Sequence, residues 1–146
     1  MTRAYYSTVF EQPADQIWET IRDFNSYPRW VDGIDESFIE DGRPGDSVGC
    51  VRNIVYEGAR IRQRLLAHSD KDRAFTFEMC EPHPMAVTNF VATLRVTPVV
   101  DGDRAFVEWW ATFECSPDQY EYWTTQFPQV DGFARWLESL RARLSS

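Results

Sequence analysis

The chain has 146 residues, of which 15% are aromatic, and its 15 Lys and Arg against 23 Asp and Glu give a net charge of -8. This surplus of negative charge repels the phosphates of nucleic acids and of anionic membranes, so neither is an expected partner. The first residues lack an apolar signal sequence and no apolar run approaches the ~20 residues that span a bilayer, which predicts a soluble cytoplasmic protein with one domain over residues 1–146.

The first elements are a strand and two short helical segments. Residues Tyr5 to Glu11 are rich in aromatic and β-branched side chains, which is typical of a strand. Pro13 favours the first turn of a helix, and the apolar stripe that follows predicts an end near Asp23 to Asn25. Pro28 disfavours helical backbone at the residue before it, so Ser26 to Val31 is predicted as a short bent or second helical segment.

After Gly33 the apolar pattern changes to the two-residue period of strands. Turn-forming clusters of Asp, Gly, Pro and Ser separate runs that are enriched in Val, Ile, Phe, Tyr and Trp. Successive strands joined by short turns pair most simply as an antiparallel meander. The six predicted strands are Ile34 to Glu40, Ser47 to Tyr56, Arg60 to His68, Ala74 to Cys80, Val87 to Val99 and Arg104 to Cys115.

From Pro117 onward the period is helical again. Tyr120 and Trp123 precede Pro128, and apolar residues follow it at spacings of three and four, which predicts a long C-terminal helix. A curved seven-stranded antiparallel sheet wrapped around that helix buries the apolar faces of both. The expected class is therefore α+β, with the two short helices after strand 1 covering an open end of the sheet.

Alternation along the strands predicts which side chains face the interior. Gln63 lies between Ile61 and Leu65 as the one polar member of an inward set. A register shift of one residue would reverse inside and outside, so that arginines would line the cavity and hold a carboxylate or keto oxygens. The residues expected to face outward are Arg60, Arg62, Arg64, Glu78 and Glu108.

Five short sequences occur in an order that matches a known family. They are PADQIW at 13–18, YPRW at 27–30, IRQRLLA at 61–67, NFVATLRV at 89–96 and VEW at 107–109. Together they resemble the polyketide cyclase/dehydrase-like branch of the START and birch-pollen-allergen (SRPBCC) superfamily. The resemblance covers essentially the whole chain and implies a helix-grip fold. Many relatives carry Glu where Gln63 stands, so a role that needs a titrating carboxylate there does not carry over.

Candidate catalytic residues are few, because the chain has no nucleophile elbow, no phosphate-binding glycine loop and no HExxH sequence. Gln63 can donate and accept hydrogen bonds, which suits orientation of a ligand carbonyl or hydroxyl. His83 lies between two prolines that stiffen its backbone, so it is either an acid-base group at a pocket mouth or an exposed loop histidine. Glu78 becomes a third candidate if it faces inward, where burial raises the pKa of a carboxylate.

Aromatic side chains supply most of the predicted ligand-binding wall. Such side chains fill cores as well as pockets, and composition does not separate the two roles. The three cysteines are spaced about thirty residues apart, and with only two histidines the chain is expected to bind no metal and no cofactor. The predicted ligand-binding residues are Tyr27, Trp30, Phe77, Asn89, Trp109, Phe113, Phe127 and Val130.

The function predicted at this point is binding of a small hydrophobic molecule in an internal cavity, by a monomer or a homodimer. Its more specific form is a cofactor-independent polyketide cyclase/dehydratase of natural-product metabolism, in which the pocket folds the substrate and a few polar groups move protons. The alternative is a non-catalytic carrier or sensor of a lipid, a quinone or a similar molecule. The shortage of titratable groups on the predicted concave face favours that alternative. A third interpretation is a protein-interaction module that uses exposed aromatic residues.

Overall fold

The computed structural model describes residues 2–130 and 132–145, with the side chains of residues 129 and 130 excepted. The described chain runs as one strand, two short helices, six strands and a helical C-terminal region. The strands are β1 (Thr2–Phe10), β2 (Ile34–Ile39), β3 (Val51–Tyr56), β4 (Ala59–Ser69), β5 (Ala74–Met79), β6 (Thr88–Val99) and β7 (Arg104–Glu114). The helices are α1 (Ala14–Ile21), α2 (Tyr27–Trp30), α3 (Tyr120–Thr125) and α4 (Phe133–Leu144).

The strands of the described chain form one antiparallel sheet in the order β1-β7-β6-β5-β4-β3-β2. Strands β2 to β7 follow one another as a meander, and β1 pairs with β7 with Thr2 opposite Phe113 and Phe10 opposite Ala105. This sheet and the helix α4 confirm the predicted helix-grip fold of the α+β class.

Side chains along the strands alternate between the core and the outer face, as the two-residue period predicts. The inward positions of β5, of β7 and of β6 between Phe90 and Val96 are buried, and they pack with Phe133, Leu137 and Leu140 of α4 in one hydrophobic core. Those inward residues are Phe75, Phe77, Met79, Phe90, Ala92, Leu94, Val96, Ala105, Val107, Trp109, Ala111 and Phe113.

The arginines of β4 lie on the outer face, which confirms the register predicted for this strand. Arg62 Nε lies 2.7 Å from Glu40 Oε2, and Arg64 pairs with Glu78 at 3.0 Å. The hydrogen bonds from Arg62 lower the pKa of Glu40 from its ordinary 4.5 to about 2. These partly exposed pairs give the outer face its charge and leave the inner face apolar.

The YPRW sequence forms the second short helix, α2, and it buries two aromatic rings at what is otherwise a turn. Pro28 lies in the first turn of the helix, where a missing backbone N–H costs nothing. Ser26 anchors the segment, since its hydroxyl accepts a hydrogen bond from Trp30 Nε1 at 3.0 Å and contacts the carbonyl of Ile21 at 3.3 Å. Tyr27 and Trp30 are 1% and 0% exposed.

The C-terminal region is less regular than its spacing predicts. After α3, residues Gln126–Val130 form a π-helical turn that contains Pro128, and α4 begins only at Phe133. Gly132 approaches the preceding turn so closely that a Cβ atom there would lie 2.0 Å from the carbonyl oxygen of Phe127. The long helix is confirmed, but its start is set by this close approach rather than by Pro128.

Helix α4 is tied to the segment that follows α2. The hydroxyl of Ser139 donates to the carbonyl of Trp30 and accepts from the backbone N–H of Asp32 at 3.2 Å. Within the described ranges, no helix has the length and apolar character needed to cross a membrane.

Candidate functional site

A cavity of about 210 Å³ lies between the inner face of β3 to β6 and the helical C-terminal region. It is larger than the ~150 Å³ engineered cavity that holds benzene, so a molecule with two fused rings fits the space. The polar side chains in its wall are those of Tyr27, Tyr56, Gln63 and Trp136, of which Trp136 Nε1 donates to the Tyr56 hydroxyl at 3.0 Å. The remaining wall residues are Ile34, Ile54, Ala59, Ile61, Phe77, Met79, Pro84, Met85, Phe90, Phe127, Gly132 and Phe133.

A buried arginine stands behind the polar end of this cavity. Arg52 of β3 is 1% exposed and lies directly opposite Gln63 of β4 in the sheet register. Its guanidinium carbon is 3.8 Å from the ring centroid of Phe24 and 3.7 Å from that of Tyr27. Burial lowers the pKa of Arg52 because removal from water disfavours the charged form.

The hydrogen bonds of Arg52 go to neutral oxygens. One terminal nitrogen donates to the carbonyl of Phe24 at 3.0 Å, and Nε donates to Gln63 Oε1 at 3.0 Å. The second terminal nitrogen donates to the same Gln63 oxygen. No carboxylate among the described residues forms an ion pair with this guanidinium, although several other arginines, such as Arg62 and Arg64, have such a partner.

The orientation of the Gln63 amide follows from the chemistry of Arg52. A guanidinium has only donors, so the amide must turn its oxygen toward it. The amide nitrogen then points away, and its described contact is the weak acceptor Met79 Sδ at 4.0 Å. Gln63 is 3% exposed, so this side of the cavity presents a hydrogen-bond donor that solvent does not satisfy.

Tyr27 adds a second polar group to the same end. Its side chain is buried in the cavity wall, and its hydroxyl lies near the Arg52 guanidinium but forms no hydrogen bond of ordinary geometry with a described residue. Burial raises the pKa of Tyr27, and the charge of Arg52 opposes part of that rise. The hydroxyl therefore stays protonated at neutral pH and is able to donate to an oxygen in the cavity.

Three of the residues singled out from the sequence meet elsewhere, in an outer groove of about 370 Å³ over β4, β5 and the start of β6. His83 lies there with Nδ1 2.8 Å from Glu81 Oε1, and Glu78 pairs with Arg64. Asn89 Nδ2 donates to Glu114 Oε2 at 2.6 Å.

The outer position of Glu78 corrects the inward alternative on which its catalytic candidacy depended. Its neighbours Phe77 and Met79 occupy the inward positions of β5, so alternation places its carboxylate outside. Asn89 also lies on the outer face, because its neighbour Phe90 occupies an inward position of β6; its backbone has a φ of 52°, and regular pairing with β5 is present only from Val91 onward.

The predicted aromatic wall divides between cavity and core. Tyr27, Phe77 and Phe127 line the cavity. Trp30, Trp109 and Phe113 are each 0% exposed and pack among other rings instead; Trp109 stacks on Phe133 with centroids 4.9 Å apart, and Phe113 contacts Phe127 at 5.1 Å. The side chain of Val130 lies outside the described residues.

Sequence reasoning missed Arg52, and it also missed Tyr56, Met85 and Trp136 in the cavity wall. The signal for Arg52 was present, since it occupies the same face of β3 as Ile54 and Tyr56. A charged residue on the inward face of a strand indicates either that the strand is exposed or that a polar site lies in the interior.

The described residues hold no group of three or more His, Cys, Asp or Glu side chains arranged to bind a metal ion. Cys50, Cys80 and Cys115 are free thiols, and burial raises the pKa of the first two. The cavity chemistry consequently rests on an amide, hydroxyls and a buried guanidinium.

Comparison with known proteins places these features in a wider context. The sequence model of the family described as polyketide cyclase / dehydrase and lipid transport matches residues 1–144. A solved structure from Nitrosospira multiformis is 28% identical, with a TM-score of 0.80 over 99% of this chain and 97% of the other. The protein XoxI from Bacillus cereus is 27% identical, with a TM-score of 0.83 over 97% of this chain and 94% of the other.

A more distant likeness extends the fold comparison. The di-domain ARO/CYC BexL from the BE-7585A biosynthetic pathway is 17% identical, with a TM-score of 0.79 over 99% of this chain and 47% of that one. At this identity the likeness is one of fold. No curated protein sequence matches the chain at a significant level.

Proposed function

Since the chain belongs to the polyketide cyclase/dehydrase and lipid transport family, we propose that it binds a small, largely apolar molecule in the cavity between the sheet and α4. The observation that carries this proposal is an apolar cavity with two hydrogen-bonding groups left for a ligand at one end. Those groups are the Gln63 amide nitrogen and the Tyr27 hydroxyl. Pockets that bind small molecules commonly combine apolar walls with a few placed polar groups.

The catalytic form of this proposal is a cyclase/dehydratase that acts without a cofactor. The walls would hold a flexible keto compound folded, so that the carbon atoms to be joined lie close together. Tyr27 and Gln63 would donate hydrogen bonds to a carbonyl oxygen as negative charge develops on it, and the charge of Arg52 would stabilise that oxygen from behind.

The carrier form has a specific observation in its favour. The described side chains that line the cavity include no carboxylate, histidine or lysine. A proton-transfer reaction needs a base within hydrogen-bond reach, whereas binding alone does not. The carrier or sensor of a hydrophobic molecule therefore stands as the second candidate.

Native mass spectrometry of the purified protein tests for a co-purified molecule, and a titration with methylnaphthalene tests the cavity itself. Ile61 lines the cavity, so Ile61→Trp should fill the space and abolish binding of the probe. Leu66→Trp on the same strand is the control, because Leu66 is 39% exposed. Equal binding by both variants would refute the proposal that this cavity is the site.

The two forms are separated by recovery of the ligand after incubation. A molecule returned unchanged supports the carrier. A product with a new ring or with one water lost supports the enzyme, and its formation should slow in Tyr27→Phe.

A further inference from the structure

The charge of Arg52 is the feature that the proposed function leaves unexplained. Buried charges in proteins are normally paired with an opposite charge, because transfer out of water is costly. This chain has 23 acidic residues, yet the described contacts of the Arg52 guanidinium are three aromatic rings, a backbone carbonyl and the Gln63 oxygen. Among the described residues, the positive charge next to the cavity is therefore uncompensated.

This arrangement leaves Gln63 with only hydrogen-bond donors to offer at the polar end of the cavity. Gln63 Oε1 is occupied by Arg52, so Gln63 offers its Nε2–H groups to the cavity. An incoming ammonium or N–H group would meet these donors and the positive charge behind them. An oxygen acceptor would meet both favourably, and a negatively charged oxygen most of all.

We propose that this end of the cavity selects an anionic oxygen, such as a carboxylate, an enolate or a phenolate, on an otherwise apolar ligand. The Gln63 amide and the Tyr27 hydroxyl donate hydrogen bonds to that oxygen. Arg52 is a positioning residue, since it acts through Gln63 by fixing the amide and by supplying the positive charge. The inference rests on the proposed function, because it assigns a ligand class to the same cavity.

The charged groups around Arg52 support the choice of a negatively charged ligand. Burial lowers the pKa of Arg52 because it disfavours the charged form. A negative charge at the cavity end would offset that cost. The carboxylates of Glu40 and Glu78 come from segments next to β3 and β4. Both lie on the outer face, where Glu40 pairs with Arg62 and Glu78 pairs with Arg64. The described protein groups therefore leave the compensating charge to the ligand.

Three probes of the same ring size and different charge test the inference near neutral pH. They are naphthoate, methylnaphthalene and naphthylmethylammonium, and binding is followed by isothermal titration calorimetry. We expect naphthoate to bind about tenfold more tightly than methylnaphthalene, and the ammonium probe to bind more weakly than either. A merely structural role for Arg52 would not produce this order.

Gln63→Glu supplies the matched perturbation. The introduced carboxylate satisfies Arg52 and removes the donor, so the affinity for naphthoate should fall about tenfold or more while that for methylnaphthalene changes less than threefold. Gln16→Glu makes the same chemical change on the exposed face of α1 and should leave all three affinities unaltered. If Gln63→Glu does not fold, Tyr27→Phe replaces it, with an expected loss of at least threefold for naphthoate alone.

The outcomes distinguish failure of the ligand-class inference from failure of the proposed function. Binding of methylnaphthalene with no preference for naphthoate, or a preference that survives Gln63→Glu and Tyr27→Phe, would overturn the inference and leave the proposed function standing. Failure of all three probes to bind would overturn the proposed function, and the inference with it.

Discussion

Replacement of Gln63 by Glu should make the protein more stable, although it impairs the site. Arg52 already bears the cost of burial, and its Nε lies 3.0 Å from the Gln63 oxygen that would become a carboxylate oxygen. Two unit charges about 4 Å apart attract by about 4 kcal/mol at an effective dielectric constant near 20. Burial of the new carboxylate costs several kcal/mol, which cancels most of that gain.

The expected net effect is an increase of about 1 kcal/mol in the free energy of unfolding, or about 3 °C in melting temperature for a chain of this size. The gain should depend on pH. If Arg52 outweighs burial, the introduced carboxylate has a folded-state pKa below the ordinary value of about 4.3. The added stability is then present above that value and is lost as the pH falls through the lowered pKa.

Urea denaturation followed by tryptophan fluorescence measures the effect, with Gln16→Glu as the control. The control should change stability by less than about 0.5 kcal/mol, as exposed substitutions usually do. A loss of more than about 1 kcal/mol in Gln63→Glu relative to that control would refute the reasoning that Arg52 lacks a compensating charge.

Three further predictions concern single contacts. Tyr27→Phe removes a buried hydroxyl without a described partner, so the free energy of unfolding should stay equal or rise by about 1 kcal/mol, and a loss of that size in thermal denaturation would contradict the assignment. Glu40→Gln should cost less than about 1 kcal/mol at neutral pH because both members of its pair with Arg62 are partly exposed. Since the pKa of Glu40 is lowered from 4.5 to about 2, that cost is present above pH 4.5 and should shrink as the pH falls toward 2, which urea denaturation at several pH values measures. Gly132→Ala should lower stability by about 2 kcal/mol, because its Cβ would lie 2.0 Å from the Phe127 carbonyl oxygen; a melting temperature equal to that of the parent would show that the turn adjusts freely.

The sheet was accessible from sequence because alternation reports burial directly when the buried residues are apolar. The inward set on β5, from Phe75 to Met79, alternates without exception with residues that are partly exposed. The same reasoning found Gln63, since a polar residue between Ile61 and Leu65 breaks the apolar pattern. The outward position of Arg62 and Arg64 followed from the same register.

The centre of the candidate site was not accessible in this way. The surroundings of Arg52 on β3 are assembled from Phe24 and Tyr27, which come from the segment around α2, and from Gln63 of β4. No local pattern joins them, because the contact exists only after the sheet curves over α2. The two prolines around His83 showed in the sequence that its backbone is stiff. The face of the sheet to which the His83 side chain turns depends on how the strands on either side of this segment separate.

The start of α4 was inaccessible for a related reason. Spacing of apolar residues continues through Pro128, so the sequence pattern has no gap at Gly132. The break depends on the contact between Gly132 and the carbonyl of Phe127, which is a property of the folded turn.

The hydrogen bonds between Ser139 of α4 and the backbone at Trp30 and Asp32 affect how the cavity of such a protein changes during evolution. The contact joins α4 to the end of α2, and its three residues lie outside the cavity wall. Substitutions at Ser139 would therefore change the spacing between α4 and α2 without replacing Gln63, Tyr27 or Arg52. Ligand size and ligand charge become two traits that selection, or an engineer, is able to adjust separately.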